Sequence, residues 1–273
     1  MKYTIQSSKY VFKNFIYLFP FAILPAIFFA VSTDEGAIIN IVQALLAGDI
    51  STWSFGLLFK AISILNFGSW QSVVFGLAGI VLTIFCVALL MALLDKHMRI
   101  GKRTFNGLFG KLNDNFNSTF GVVMIVLVMY ELWALLLAAF LFLLSRIPIA
   151  ILAYVLVVLV FIAFHVLLMV SVGSVYLWLP CMQITGFRAF EALAYAYQLM
   201  NTVKWKIMFA QIAVLIAVEA LVCACAVYVV VPLAFRIVVS LLYAGVVMIY
   251  CVRMQIAYLD RDNIERADVG RYY

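Results

Sequence analysis

A chain of 273 residues in which 68% are apolar and only 11% are charged is not a soluble globular protein, whose charged fraction runs at about 25%. A polytopic membrane protein is the class that remains. The net charge of +6 does not signal nucleic acid, because the basic residues are scattered through short hydrophilic connections that gather on one side of the membrane.

Residues 1–14 form a short basic amphipathic lead-in, and Asn14-Phe15 opens the first span, 15–31. Lys2, Lys9 and Lys13 before that run, with Ala30-x-Ser32 behind it, mimic a signal peptide. The long basic region, Pro20 and Pro25 within the run, and the spans that follow favour a retained first helix. The connection 32–69 is the longest and holds Asp34, Glu35, Asp49 and Lys60. Its apolar stretches 37–48 and 52–66 are too short to cross easily and are expected to be interfacial or re-entrant. Span two, 70–94, measures about 37 Å at helical rise, enough to cross with some tilt.

A basic connection follows, with Phe105, Leu108, Phe109, Leu112 and Phe116 at amphipathic spacing; Gly107 and Gly110 weaken it as a helix. Span three, 120–144, has Glu131 at its centre, and Ser145-Arg146-Ile147-Pro148 makes a tight turn into span four, 149–172. Span four carries His165, and Gly173 is a candidate hinge just beyond it. Phe187, Phe190, Leu193, Ala194 and Tyr197 then recur at helical spacing, with Arg188, Glu191 and Gln198 between them, as an interfacial helix requires. The chain turns at Lys204-Trp205-Lys206 into span five, 206–231, with Glu219 near its middle. Pro232 and Arg236 mark the turn to span six, 234–258, and residues 260–273 form a polar tail expected to be solvated.

The expected fold is therefore all-α. Residues 1–259 make one membrane domain of six transmembrane helices, arranged as three helical hairpins, each preceded by a cytoplasmic amphipathic interfacial helix. Fifteen of the eighteen Lys and Arg residues fall on the side that holds both termini; Lys60, Arg146 and Arg236 fall on the other. That bias places both termini in the cytoplasm.

Each even-numbered span ends in a similar phrase: Met98-Arg99-Ile100, Met182-Gln183-Ile184 and Met254-Gln255-Ile256. After the first two, the match runs on through Gly101 and Gly186, Arg103 and Arg188, Phe105 and Phe190, and Leu108 and Leu193. Glu131 follows Phe116 by nearly the distance at which Glu219 follows Trp205, so the two acids are expected at equivalent depths of an internal repeat. The phrases SKYVFKNFIYLFPFAILPA, FNGLFGKLNDNFNSTFGVVM and FEALAYAYQLMNTVKWKIMF resemble the elbow-then-span units of a bacterial group. It comprises the membrane domain fused to some glycerophosphodiester phosphodiesterases and related stand-alone six-helix integral membrane proteins. The resemblance implies a bacterial plasma-membrane location and no agreed activity, since the phosphodiesterase chemistry belongs to a separate soluble domain.

No Walker loop, GxSxG, HExxH or metal-spaced acidic pair occurs, so neither an enzyme, a cofactor nor a metal is expected. The five cysteines lie in or beside apolar runs as buried thiols. Asp95-Lys96-His97 reads as a solvated helix cap. The candidates for function are the ionisable residues inside spans: Glu131, Glu219 and His165, a set that would form a polar intramembrane site. A charged acid at a helix centre costs about 2.5–3.5 kcal/mol on insertion scales and must be protonated, paired or hydrated. Arg146 and Arg236 are the further partners available, although both stand near outer helix ends. The function expected is a small transport or translocation component for a small polar or lipid-like molecule. The alternative is a non-catalytic scaffold or accessory subunit, with the two acids acting as packing glue. Membrane lipids, a protein partner or a second copy of the chain are the expected partners.

Overall fold

A computed structural model describes residues 2–201 and 203–269, and among them there are only helices and connections. In chain order they are α1 (Lys2–Lys13), α2 (Phe15–Ser32), α3 (Glu35–Ala47), a 3-10 turn at Ile50–Thr52, α4 (Phe55–Ile62), α5 (Trp70–Ile100) and α6 (Leu108–Leu144). Then come α7 (Ala150–Ser174), α8 (Trp178–Thr185), α9 (Ala189–Met200), α10 (Lys204–Tyr228) and α11 (Pro232–Arg261). Six of these, α2, α5, α6, α7, α10 and α11, are long and apolar enough to cross a bilayer, which makes the chain a multi-pass membrane protein.

Successive spans pack side by side, and α11 returns to pack against α2, so the six form a closed circuit. Small side chains set the tightest contacts. On α2, Leu18, Ala22, Ala26 and Ala30 follow one another at four-residue spacing and are all buried. Gly79 of α5 lies under Phe29, where a Cβ would come within 2.8 Å of the ring. Between helices in lipid, close approach of this kind supplies the van der Waals attraction that apolar burial cannot. α5 is the axis of the assembly, with 61% of its most apolar window buried inside the protein, against 22% for α10 at the rim.

The connection between α2 and α5 does not cross. Its 3-10 turn and α4 lie along the C-terminal half of α6, where Ile50, Trp53 and Leu58 pack with Trp133, Ala134, Leu137, Ala138 and Leu141. Arg146 fixes one end of this layer. Its guanidinium donates to the carbonyls of Ser51 (3.0 Å) and Trp53 (2.9 Å) and lies over the Phe142 ring.

Several expectations change. No separate amphipathic helix stands between α5 and α6: Leu112 and Phe116 are the first turns of α6 itself, which runs unbroken from Leu108. A bend would need the backbone to break, and the left-handed positions between α5 and α6, Gly101 (φ 72°) and Gly107 (φ 77°), both fall before α6 begins. The tail is not wholly solvated, because the Ala267 N–H donates to the Met98 carbonyl (2.8 Å) and Ile264 packs on the main core; residues 270–273 lie outside the described region. The stretch Asp95–His97 is not a solvated cap. Asp95 takes Arg99 in a two-pronged contact (2.5 and 2.8 Å), Lys96 donates to the Asn106 carbonyl (2.6 Å), and His97 is buried between Tyr10 and Arg103. Ala134 and Ala138 of α6 are fully buried, whereas Ala220 and Ala224 of α10, at the same four-residue spacing, face outward. The chain does break after Gly173, at 175–177, and again at 229–231 immediately before Pro232.

Candidate functional site

The two intramembrane acids meet different surroundings. Glu131, on α6, faces the loop that follows α4. Its Oε1 accepts the backbone N–H groups of Ile64 (2.9 Å) and Leu65 (3.1 Å), and Ser63 Oγ donates to Oε2 (2.7 Å). The neighbouring Tyr130 hydroxyl donates to the Ile62 carbonyl (2.8 Å). A helix end within a bilayer has no water to satisfy its free backbone groups, so the protein must do so. Tyr130 and Glu131 are that satisfaction for residues 62–65. Asn66 of the same loop donates through Nδ2 to the Ser32 carbonyl of α2 (3.1 Å), and Ser32 Oγ in turn donates to the Ser72 carbonyl of α5 (2.9 Å).

Glu219, on α10, faces His165 of α7. His165 Nε2 stands 3.1 and 2.9 Å from the two carboxylate oxygens, while Nδ1 lies 2.8 Å from the Phe161 carbonyl. A carbonyl oxygen only accepts, so Nδ1 carries a hydrogen. Nε2 and two carboxylate oxygens then hold one proton between them, as imidazolium with carboxylate or as imidazole with carboxylic acid. In both forms the pair is neutral overall, which is how two ionisable groups can coexist in lipid.

The histidine is sealed on every other side. Phe161 lies 4.1 Å from it between ring centroids and Trp133 stands edge-on at 5.1 Å; Trp133 Nε1 donates to the Phe164 carbonyl (2.7 Å). The His165 side chain is 1% exposed and that of Glu219 is 33% exposed, so the carboxylate is the end of the pair that the surroundings can reach.

Comparison with protein-family models, with curated proteins and with solved structures found no match. What the arrangement can do therefore rests on its chemistry.

Of the predicted site residues, His165 and Glu219 are brought together, and Glu131 belongs to a separate cluster. Neither arginine serves the acids. Arg146 is committed to Ser51 and Trp53, and Arg236 is exposed at the start of α11. Ser63, Tyr130 and Trp133 were not anticipated. The stretch 52–66 was the available signal for Glu131's role: a re-entrant segment must end inside the membrane, and its exposed N–H groups need an acceptor.

Proposed function

We propose that the chain is a small transport or translocation component that exchanges a proton at the His165–Glu219 pair while handling a small polar or lipid-like molecule. One observation carries this reading: a histidine and a glutamate lie within hydrogen-bond distance on two span helices, the histidine sealed and the glutamate a third exposed. Proton entry and exit run through the Glu219 carboxylate. The buried imidazole acts as the reservoir, with its Nδ1–H fixed on Phe161. Glu131 takes no part in that exchange; it holds the α4 loop against α6. Support for a multi-pass placement with both termini in the cytoplasm of a bacterial plasma membrane comes from the basic-residue bias and from the resemblance stated above. The separate helices α1 and α9, each leading into a span, support interfacial elbows in the first and third of three repeated units.

The test is reconstitution in liposomes loaded with a pH-sensitive dye, under an imposed pH gradient. Glu219→Gln and His165→Gln should each abolish the proton-dependent signal while the thermal midpoint in detergent is kept. A signal that survives both changes would refute the reading. Recovery of a stoichiometric partner by pull-down would then favour the scaffold role.

A further inference from the structure

A second candidate site, a mostly apolar cavity with cationic groups at its wall and rim, lies away from the pair where the ends of α1, α10 and α11 meet. A cavity of about 140 Å³ is lined there by Lys2, Tyr3 and Thr4 from α1, Lys206 from α10 and Arg253 from α11. Arg253 decides its character. The residue is 2% exposed, its Nη1 has no hydrogen-bond partner, and among the described residues no carboxylate pairs with it. Its Nε is held from behind by the Tyr176 hydroxyl (3.1 Å), which in turn donates to the Tyr250 carbonyl (3.3 Å). A buried guanidinium that lacks a counter-charge is costly, because the desolvation of the ion is not offset.

The mouth of the cavity adds two more cations and one acid. Asp260 accepts from Lys2 Nζ (3.1 Å) and from the Tyr3 hydroxyl (2.6 Å), so that acid is already committed. Lys206 is exposed and forms no ion pair among the described residues. The cavity therefore offers an unpaired buried guanidinium at its wall and an unpaired ammonium at its rim. Guanidinium and ammonium together suit a tetrahedral oxyanion, with arginine giving directional hydrogen bonds and lysine a point charge.

We infer that this cavity is a binding site for a phosphate group, held by Arg253 and Lys206. That phosphate is either the headgroup of an anionic phospholipid, reached beside the exposed Trp205, or a free phosphate from the aqueous side. The site is independent of the proton pair, since no residue is shared between them.

The experiment uses the full chain, purified in detergent and in nanodiscs, with thermal midpoint as readout. Inorganic phosphate is titrated in detergent against chloride at matched ionic strength. In parallel, phosphatidylcholine nanodiscs are compared with nanodiscs that also contain phosphatidic acid. A ligand that binds only the folded state raises the midpoint in proportion to its occupancy. A saturable rise with inorganic phosphate supports the site and identifies a free anion. A rise confined to phosphatidic acid supports it and identifies a headgroup. Lys206→Glu, at an exposed position, should weaken either response about tenfold or more, and Arg253→Gln should abolish it. A flat midpoint in both arms, or a wild-type response retained in Lys206→Glu, overturns the inference.

Discussion

Glu131 and Glu219 are the same side chain in similar apolar helices, yet the protein uses them in opposite ways. Glu131 is given over to the chain itself, its two oxygens taken by two backbone N–H groups and a serine hydroxyl. Glu219 is set against one titratable ring, and a third of its surface stays open. The difference comes from their partners. Backbone donors cannot release or take up a proton, so a carboxylate held by them is a structural acceptor. An imidazole can do both, so a carboxylate held by it remains convertible. Acidity in a membrane helix therefore does not by itself indicate chemistry; the identity of the donors does.

That contrast can be broken most directly at Glu131. Glu131→Ala orphans two N–H groups and a hydroxyl in a part-buried loop, and should destabilise the protein by about 2–4 kcal/mol, seen as a lowered thermal midpoint. Protease sensitivity in 63–66 should rise with it. Glu131→Gln, which keeps one acceptor oxygen, should cost about half as much. At Glu219 the effects reverse: Glu219→Gln should change stability by less than about 1 kcal/mol, the scale of one polar contact between membrane helices. Its 63–66 loop should stay as protected as in the parent, measured by the same proteolysis. Equal loop exposure in the Glu131 and Glu219 variants would erase the distinction.

A smaller effect sharpens the boundary between the clusters. Tyr130→Phe removes the hydroxyl that serves the Ile62 carbonyl and should cost about 1 kcal/mol, without altering the proton-dependent signal. The smallest effect lies at the periphery. Burial, reinforced by the hydrogen bond to Asp260, pushes the Tyr3 phenol up to about 12. Because this folded value lies above the ordinary one of about 10, the contribution is fully present below pH 10 and fades as pH approaches 12. Alkaline titration followed by phenolate absorbance should show Tyr3→Phe losing the equivalent of one late-ionising tyrosine relative to the parent.

The six spans were legible because hydropathy is a one-dimensional signal that needs no knowledge of neighbours. The approach of His165 to Glu219 was legible on similar grounds, as two isolated ionisable residues within apolar helices must find each other, water or a proton. The surroundings of Glu131 were not legible because two of its three donors are backbone N–H groups, which carry no signature in the residue alphabet. The same blindness hid the docking of Ala267 on Met98, again a backbone bond. The elbow expected at Phe105–Phe116 failed for a different reason: amphipathic spacing says which face of a helix is apolar, not whether the helix ends before the next span begins. Arg253 was counted only as one more basic residue of the topology, since nothing in the linear pattern distinguishes a buried guanidinium from a snorkelling one.

The return of α11 onto α2 has a consequence for biogenesis. The two partners are separated in the chain by four other spans. During insertion, the alanine stripe of α2 must therefore wait in the bilayer with α5 on one side and only lipid on the other. These six spans cannot assemble hairpin by hairpin; α11, which follows the other five in the chain, acts as the keystone that locks α2.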